Sequence, residues 1–197
     1  MHTPKSFSSL PPNYRFHLDL DMSKNKWVVF WITLIQLFLI LFFFLILAVI
    51  NIEITFNIWS SLSSIPLLVL VVVVHEWIHG LFFKMGTDQK VKYAFHGFAA
   101  SASVPGVYFT KRHYMLVGIA PAIFLNLFLF LLCFVPSKEW SSLFFILLAI
   151  HFSSCSGDFF VFIRFLSLNE NSLIEDTGIA MKVFVKIENT DPPSPHI

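Results

Sequence analysis

The sequence predicts an all-α membrane protein: a bundle of four transmembrane helices with a membrane-adjacent loop or small hairpin between helices two and three. Three observations carry this expectation. Of 197 residues, 56% are hydrophobic, 13% are charged and 25 are phenylalanine, whereas a soluble domain has about 25% charged residues. The mean hydropathy is +0.75. Four nearly uncharged stretches are also long enough, at about 1.5 Å per residue, to cross a hydrocarbon core of about 30 Å. A net charge of +1 gives no field that would gather phosphates, which excludes nucleic acid as a partner. The bilayer is the expected partner instead.

Residues 1–26 are polar and read as a cytoplasmic N-terminal segment. Trp27 to Ile50 is an uncharged run, longer than the apolar stretch of a signal peptide, and is expected to be an uncleaved spanning helix. The second span covers residues 61–83. Its valine-rich centre would suit a strand in water but is helical in lipid, where backbone groups must be satisfied internally. Its one formal charge is Glu76.

Between residues 84 and 113 lies the middle loop. Lys90 to Phe95 alternates polar and apolar residues, and Ser101 to Tyr108 carries a Pro-Gly turn signal, so a hairpin and an irregular amphipathic loop both fit. The third span, 114–135, holds Pro121 and Asn126; the fourth, 140–163, has Asp158 as its one formal charge. Residues 27–166 thus form the membrane domain. Residues 167–197 read as a cytoplasmic tail, disordered where Asp191-Pro192-Pro193-Ser194-Pro195 ends it. Lysines and arginines fall in the N-terminal segment, the middle loop and the tail, with Lys138 alone opposing them. Both termini are therefore expected in the cytoplasm. Cys133 and Cys155 sit in apolar stretches without CxxC spacing and read as core thiols, with no disulfide framework.

The second span contains His75-Glu76-Trp77-Ile78-His79, an HExxH motif. Histidines at i and i+4 stand on one helical face, so their imidazoles can meet one Zn²⁺, and the intervening glutamate can serve as the general base of a peptidase. Ionisable groups at bilayer depth are costly, which makes this cluster a functional candidate by position as well as by pattern. A catalytic zinc takes three protein ligands and keeps one position open. Asp158 is the expected third ligand: it lies six residues before Arg164, and His79 lies five before Lys84, so depth and side agree. His151, two turns before Asp158, reads as a hydrogen-bonding neighbour of the site, an alternative ligand or a bundle histidine. Asn126 reads as a residue that orients substrate or donates to the tetrahedral oxyanion, or equally as an interhelical hydrogen-bonding residue. His2, His17, His96, His113 and His196 are expected to be solvated.

HEWIHG within a membrane helix, followed by an aspartate near the same end of a later helix, resembles the site-2 protease type of intramembrane zinc metalloprotease. The order of features more closely resembles a bacterial membrane family of zincin peptidases. Those features are Leu10-Pro11-Pro12-Asn13-Tyr14, HEWIHG, the Pro-Gly loop, Ala120-Pro121-Ala122 and Ser156-Gly157-Asp158. The resemblance implies a multi-pass protein of the bacterial cell membrane with Zn²⁺ on His75, His79 and Asp158, and Glu76 as catalytic base. Its Gly-Asp order departs from the Asp-Gly pair of site-2 proteases, and no PDZ-like module is recognisable. A gluzincin arrangement would need Glu170 or Glu175 as ligand, both beyond the fourth span. The expected activity is hydrolysis of a membrane-bound protein or peptide. The alternative is a non-catalytic zinc-stabilised scaffold or an ion-path subunit using the same polar cluster.

Overall fold

The computed structural model describes residues 5–21, 24–50, 53–95, 97, 100–178 and 180–187. Helix α1 (Lys26–Ile50) starts at Asn25, whose Oδ1 accepts the Trp27 and Val28 backbone N–H groups. Helix α2 (Ile58–Lys84) begins with a reciprocal capping box between Asn57 and Ser60. Helices α3 (Lys111–Leu132), α4 (Lys138–Ser154) and α5 (Ser156–Leu166) complete the helical part. Phe38, Leu41 and Phe44 of α1, Val69 and Val73 of α2, and Phe124 and Phe128 of α3 are exposed. So broad an apolar surface is unstable in water. Among the described residues, helices α1, α2 and α3 are long and apolar enough to cross a membrane, and α4 with α5, bent by 41°, counts as a fourth if the pair is one span.

The bend falls in the Ser153–Gly157 run. Ser154 Oγ donates back to the Ile150 carbonyl at 2.8 Å, and Cys155 leaves helical geometry with ψ of 6°, a serine and glycine pattern that favours kinks. The bend puts Asp158 in the first turn of a newly directed helix.

The all-α expectation is wrong. Seven strands accompany the five helices among the described residues: β1 (Ser6–Phe7), β2 (Tyr14–Asp21), β3 (Lys92–Phe95), β4 (Ala100–Ser103), β5 (Tyr108–Thr110), β6 (Leu173–Asp176) and β7 (Ala180–Lys186). An antiparallel five-stranded sheet has the order β1-β5-β6-β7-β2, and β3-β4 forms a separate hairpin. The N-terminal segment and the tail, which carry no strand expectation in the sequence, thus supply four of the five strands of the main sheet. Their apolar residues alternate, with Leu18 opposite Val183 and Leu20 opposite Met181. Neither strand alone buries enough to hold its shape, but together they offer one apolar face.

That face closes over the ends of the helices. Leu20, Phe109, Ile174, Met181 and Val183 form one core with Phe83 of α2, Tyr114 and Val117 of α3, and Phe165 of α5. A further core inside the bundle joins Phe43, Val71, Ile78, Ala120, Leu125, Leu143 and Leu147. Lys111 locks the two layers together: buried at the start of α3, its Nζ donates to the Leu166 and Leu168 carbonyls and to Glu170 Oε1. His113, expected in solvent, is buried and stacked on Phe109, whereas His17 is exposed on β2. His2, His96, His196 and the proline-rich end of the tail lie outside the described residues.

Candidate metal centre

His75 and His79 lie one turn apart on the inward face of α2, and the first turn of α5 brings Asp158 against both. His75 Nε2 is 3.4 Å from Asp158 Oδ2, His79 Nε2 is 3.5 Å from Asp158 Oδ1, and the two Nε2 atoms are 3.1 Å apart. All three side chains are mostly buried. These ligand atoms all fall within 4.8 Å of one another.

The donor set fits Zn²⁺ on physical grounds. A carbonyl oxygen only accepts, and His79 Nδ1 lies 2.9 Å from the Val117 backbone oxygen, so that nitrogen carries the proton. In the neutral ring Nε2 then has a bare lone pair. The lone pair points at a neighbouring imidazole nitrogen and a carboxylate, an arrangement that repels itself until a cation sits between them. Two imidazoles and one carboxylate are also a known donor combination for catalytic zinc.

Glu76 borders this cluster. Its carboxylate accepts the Ala102 backbone N–H of β4, while Oε2 is buried without a hydrogen-bond partner. A cavity of about 320 Å³ connects the cluster to the sheet layer, with Glu76, Ala102, Tyr114, Asp158 and Asp176 in its wall. Tyr114 donates to Asp176 Oδ2 at 2.5 Å, and the Gly178 N–H donates to Oδ1 at 2.7 Å. Burial raises the Asp176 carboxyl from its ordinary 3.8 to about 6, against the lowering effect of these hydrogen bonds.

The structure places His151 behind His75, with His75 Nδ1 2.9 Å from His151 Nε2. Asn126 lies one step further back. Its Oδ1 is 2.7 Å from His151 Nδ1, its Nδ2 donates to the Ala122 carbonyl at 2.7 Å, and it is not in the wall of the site cavity. Glu170 is engaged by Lys111 and Arg112, and Glu175 accepts the Gly106 N–H, so both candidate gluzincin ligands are occupied elsewhere. Cys155 Sγ lies 3.8 Å from His151 Nε2, and neither cysteine is in a disulfide.

Sequence reasoning missed Ala102, Tyr114 and Asp176. Ala102 belongs to a strand that reads equally well as loop, Tyr114 passes for an ordinary residue of an apolar span, and Asp176 sits in a tail with no expected structure. For the tail, the available signal was the β-branched and aromatic content of Met181 to Val185, with Met181, Val183 and Val185 spaced by two; Leu173 to Asp176 shows no alternation.

No curated protein and no solved structure matches the chain. Over residues 68–173, a stretch that holds the HExxH motif, His151 and Asp158, the chain matches the family described as "Putative zincin peptidase", and with more than half its length covered it belongs to that family.

Proposed function

We propose that this chain is a membrane-embedded zinc metallopeptidase of the site-2 protease kind, hydrolysing peptide bonds of membrane-bound or membrane-adjacent proteins. The observation that carries the reading is the convergence of His75 Nε2, His79 Nε2 and Asp158 beside a buried, unpartnered Glu76 Oε2. His75, His79 and Asp158 would hold the metal. Bound Zn²⁺ supplies Lewis-acid polarisation of the scissile carbonyl and lowers the pKa of a water to about 7.

The remaining steps belong to the protein. Glu76 takes the proton of the attacking water on Oε2 and returns it to the leaving nitrogen. The Ala102 N–H holds the Glu76 carboxylate in place, and Oε2, buried and without a hydrogen-bond partner, is the oxygen left to take that proton. A helical substrate must unwind before its carbonyls can be attacked. Strand β4 pairs with β3 along one edge and lines the cavity with Ala100, Ser101 and Ala102. An extended substrate segment laid beside β4 would bond the outward backbone groups that remain once the Ala102 N–H is held by Glu76, the usual logic of strand addition. With the basic residues gathered at the sheet end, the sheet, both termini and the cavity mouth face the cytoplasm of the cell that bears this membrane.

The test is cleavage of a single-span reporter protein by the purified chain in proteoliposomes, comparing wild type with Glu76→Gln. General-base loss should lower the rate by about 10²–10⁴-fold with zinc content unchanged. Zinc uptake without any cleavage across a panel of reporters would favour a zinc-stabilised scaffold instead.

A further inference from the structure

We infer that α3 fixes the tautomers of both imidazole ligands, through Pro121 for His79 and through an Asn126–His151 relay for His75. The inference rests on the zinc reading of the site and adds residues that hold the ligands rather than the metal.

The His79 branch begins with a missing donor. In a regular helix the N–H of residue 121 would bond the carbonyl of residue 117. Proline has no N–H, and Pro121 lies inside α3, so the Val117 oxygen loses its helical partner. His79 Nδ1 occupies that oxygen at 2.9 Å. Pro121 thereby creates the acceptor that turns Nε2 of His79 toward the metal position.

The His75 branch is a chain of bonds with one self-consistent polarity. The Ala122 carbonyl accepts only, so the Asn126 atom facing it at 2.7 Å is the amide nitrogen, and Oδ1 faces His151. Oδ1 accepts only, so His151 Nδ1 carries the proton. His151 Nε2 is then bare and accepts from His75 Nδ1 at 2.9 Å. Consequently His75 Nε2 is bare and faces His79 and Asp158. His151 and Asn126 are 3% and 7% exposed, so water does not compete for these bonds.

Two competing roles are disfavoured. A proton exit through His151 needs water beyond Asn126, but the cavity there, about 990 Å³, is lined mainly by apolar side chains such as Phe130, Phe134, Phe145 and Leu148, with Glu53, Lys138, Ser141 and Ser142 among its polar members. Another metal on His75 Nδ1, His151 and Cys155 would have to displace a relay in which each histidine and the asparagine already has its partner. His151 and Asn126 are therefore positioning residues. Partners of this kind are worth about 10–100-fold in metal affinity.

The test is zinc affinity of the purified full chain by chelator competition, together with imidazole ¹⁵N spectra. His151→Leu and Asn126→Leu should each weaken zinc about 10–100-fold at unchanged stoichiometry, with His151→Gln, which keeps an acceptor for His75 Nδ1–H, recovering most of the loss. Pro121→Ala, which returns a competing N–H to Val117, should weaken zinc in the same direction. The wild-type spectrum should show Nδ1–H on His75, His79 and His151, a readout independent of how the variants fold. Wild-type affinity in His151→Leu, a metal-shifted His151 Nε2, or an additional zinc lost with Cys155→Ala would each overturn the relay. If wild type binds no zinc, the peptidase reading fails; the metal-free spectrum then decides the relay by itself, since Nδ1–H on His151 supports it and Nε2–H refutes it.

Discussion

The Tyr114 hydroxyl donates to Asp176 Oδ2 at 2.5 Å, tying the first turn of α3 to the last residue of β6 across 62 positions of sequence. This bond joins the bundle to the sheet at the wall of the candidate metal centre, and it buries a carboxylate that is 8% exposed.

Burial holds Asp176 at about 6 against an ordinary 3.8, so the folded protein keeps this proton where the unfolded chain has released it. The associated stabilisation is complete below the unfolded value and is lost as pH rises from about 4 to about 6, on the order of 3 kcal/mol. Thermal unfolding of Asp176→Asn in detergent should therefore show a flatter pH dependence than wild type across that window. Parallel curves would mean that the buried carboxyl titrates normally.

Two glycines, one inside α2 and one just past its end, should respond differently. A Cβ at Gly86 would run into the ring of His113, which is buried and stacked on Phe109. A Cβ at Gly80 would meet the outer end of Tyr93, an exposed side chain free to turn away. Gly86→Ala should cost about 1–3 kcal/mol through overpacking, while Gly80→Ala should be close to neutral because alanine favours a helix interior by about 1 kcal/mol. Unfolding midpoints of the two variants check this contrast, and equal losses would contradict it.

Lys111 carries the junction between α3 and α5. Its ammonium satisfies two carbonyls at and just past the end of α5 as well as Glu170, so Lys111→Met takes the charged donor from three part-buried bonds at once. The expected loss is about 2–3 kcal/mol, read as a lower unfolding temperature. Arg112→Met is the control, since its pair with Glu170 is exposed and such pairs contribute about 0–1 kcal/mol.

The helices and the metal cluster are legible in the sequence because each depends on a local pattern. Trp27 to Ile50 is apolar without interruption, and His75 and His79 meet through helical spacing alone. Asp158 is reachable by matching depth between two spans. Strand β2 is not legible, because its partner β7 lies more than 150 residues away and each strand reads as polar tail until the other covers it. A separation of 62 residues likewise hides Asp176, whose role depends on Tyr114. Asn126 and His151 stand out individually, but their order in one relay requires the direction of each hydrogen bond. Pro121 reads in sequence as a span irregularity, since the carbonyl it frees becomes meaningful once His79 lies beside it.

His75, His79 and Asp158 as one zinc site served by Glu76 should be visible in the metal content of the protein itself. Elemental analysis of zinc per chain in detergent-purified wild type, His75→Ala, Asp158→Ala and Glu76→Gln tests it most directly. One zinc is expected in wild type and in Glu76→Gln, with loss in the two ligand variants; absence of zinc from wild type after metal reconstitution, or its retention in Asp158→Ala, would rule out the three-ligand site.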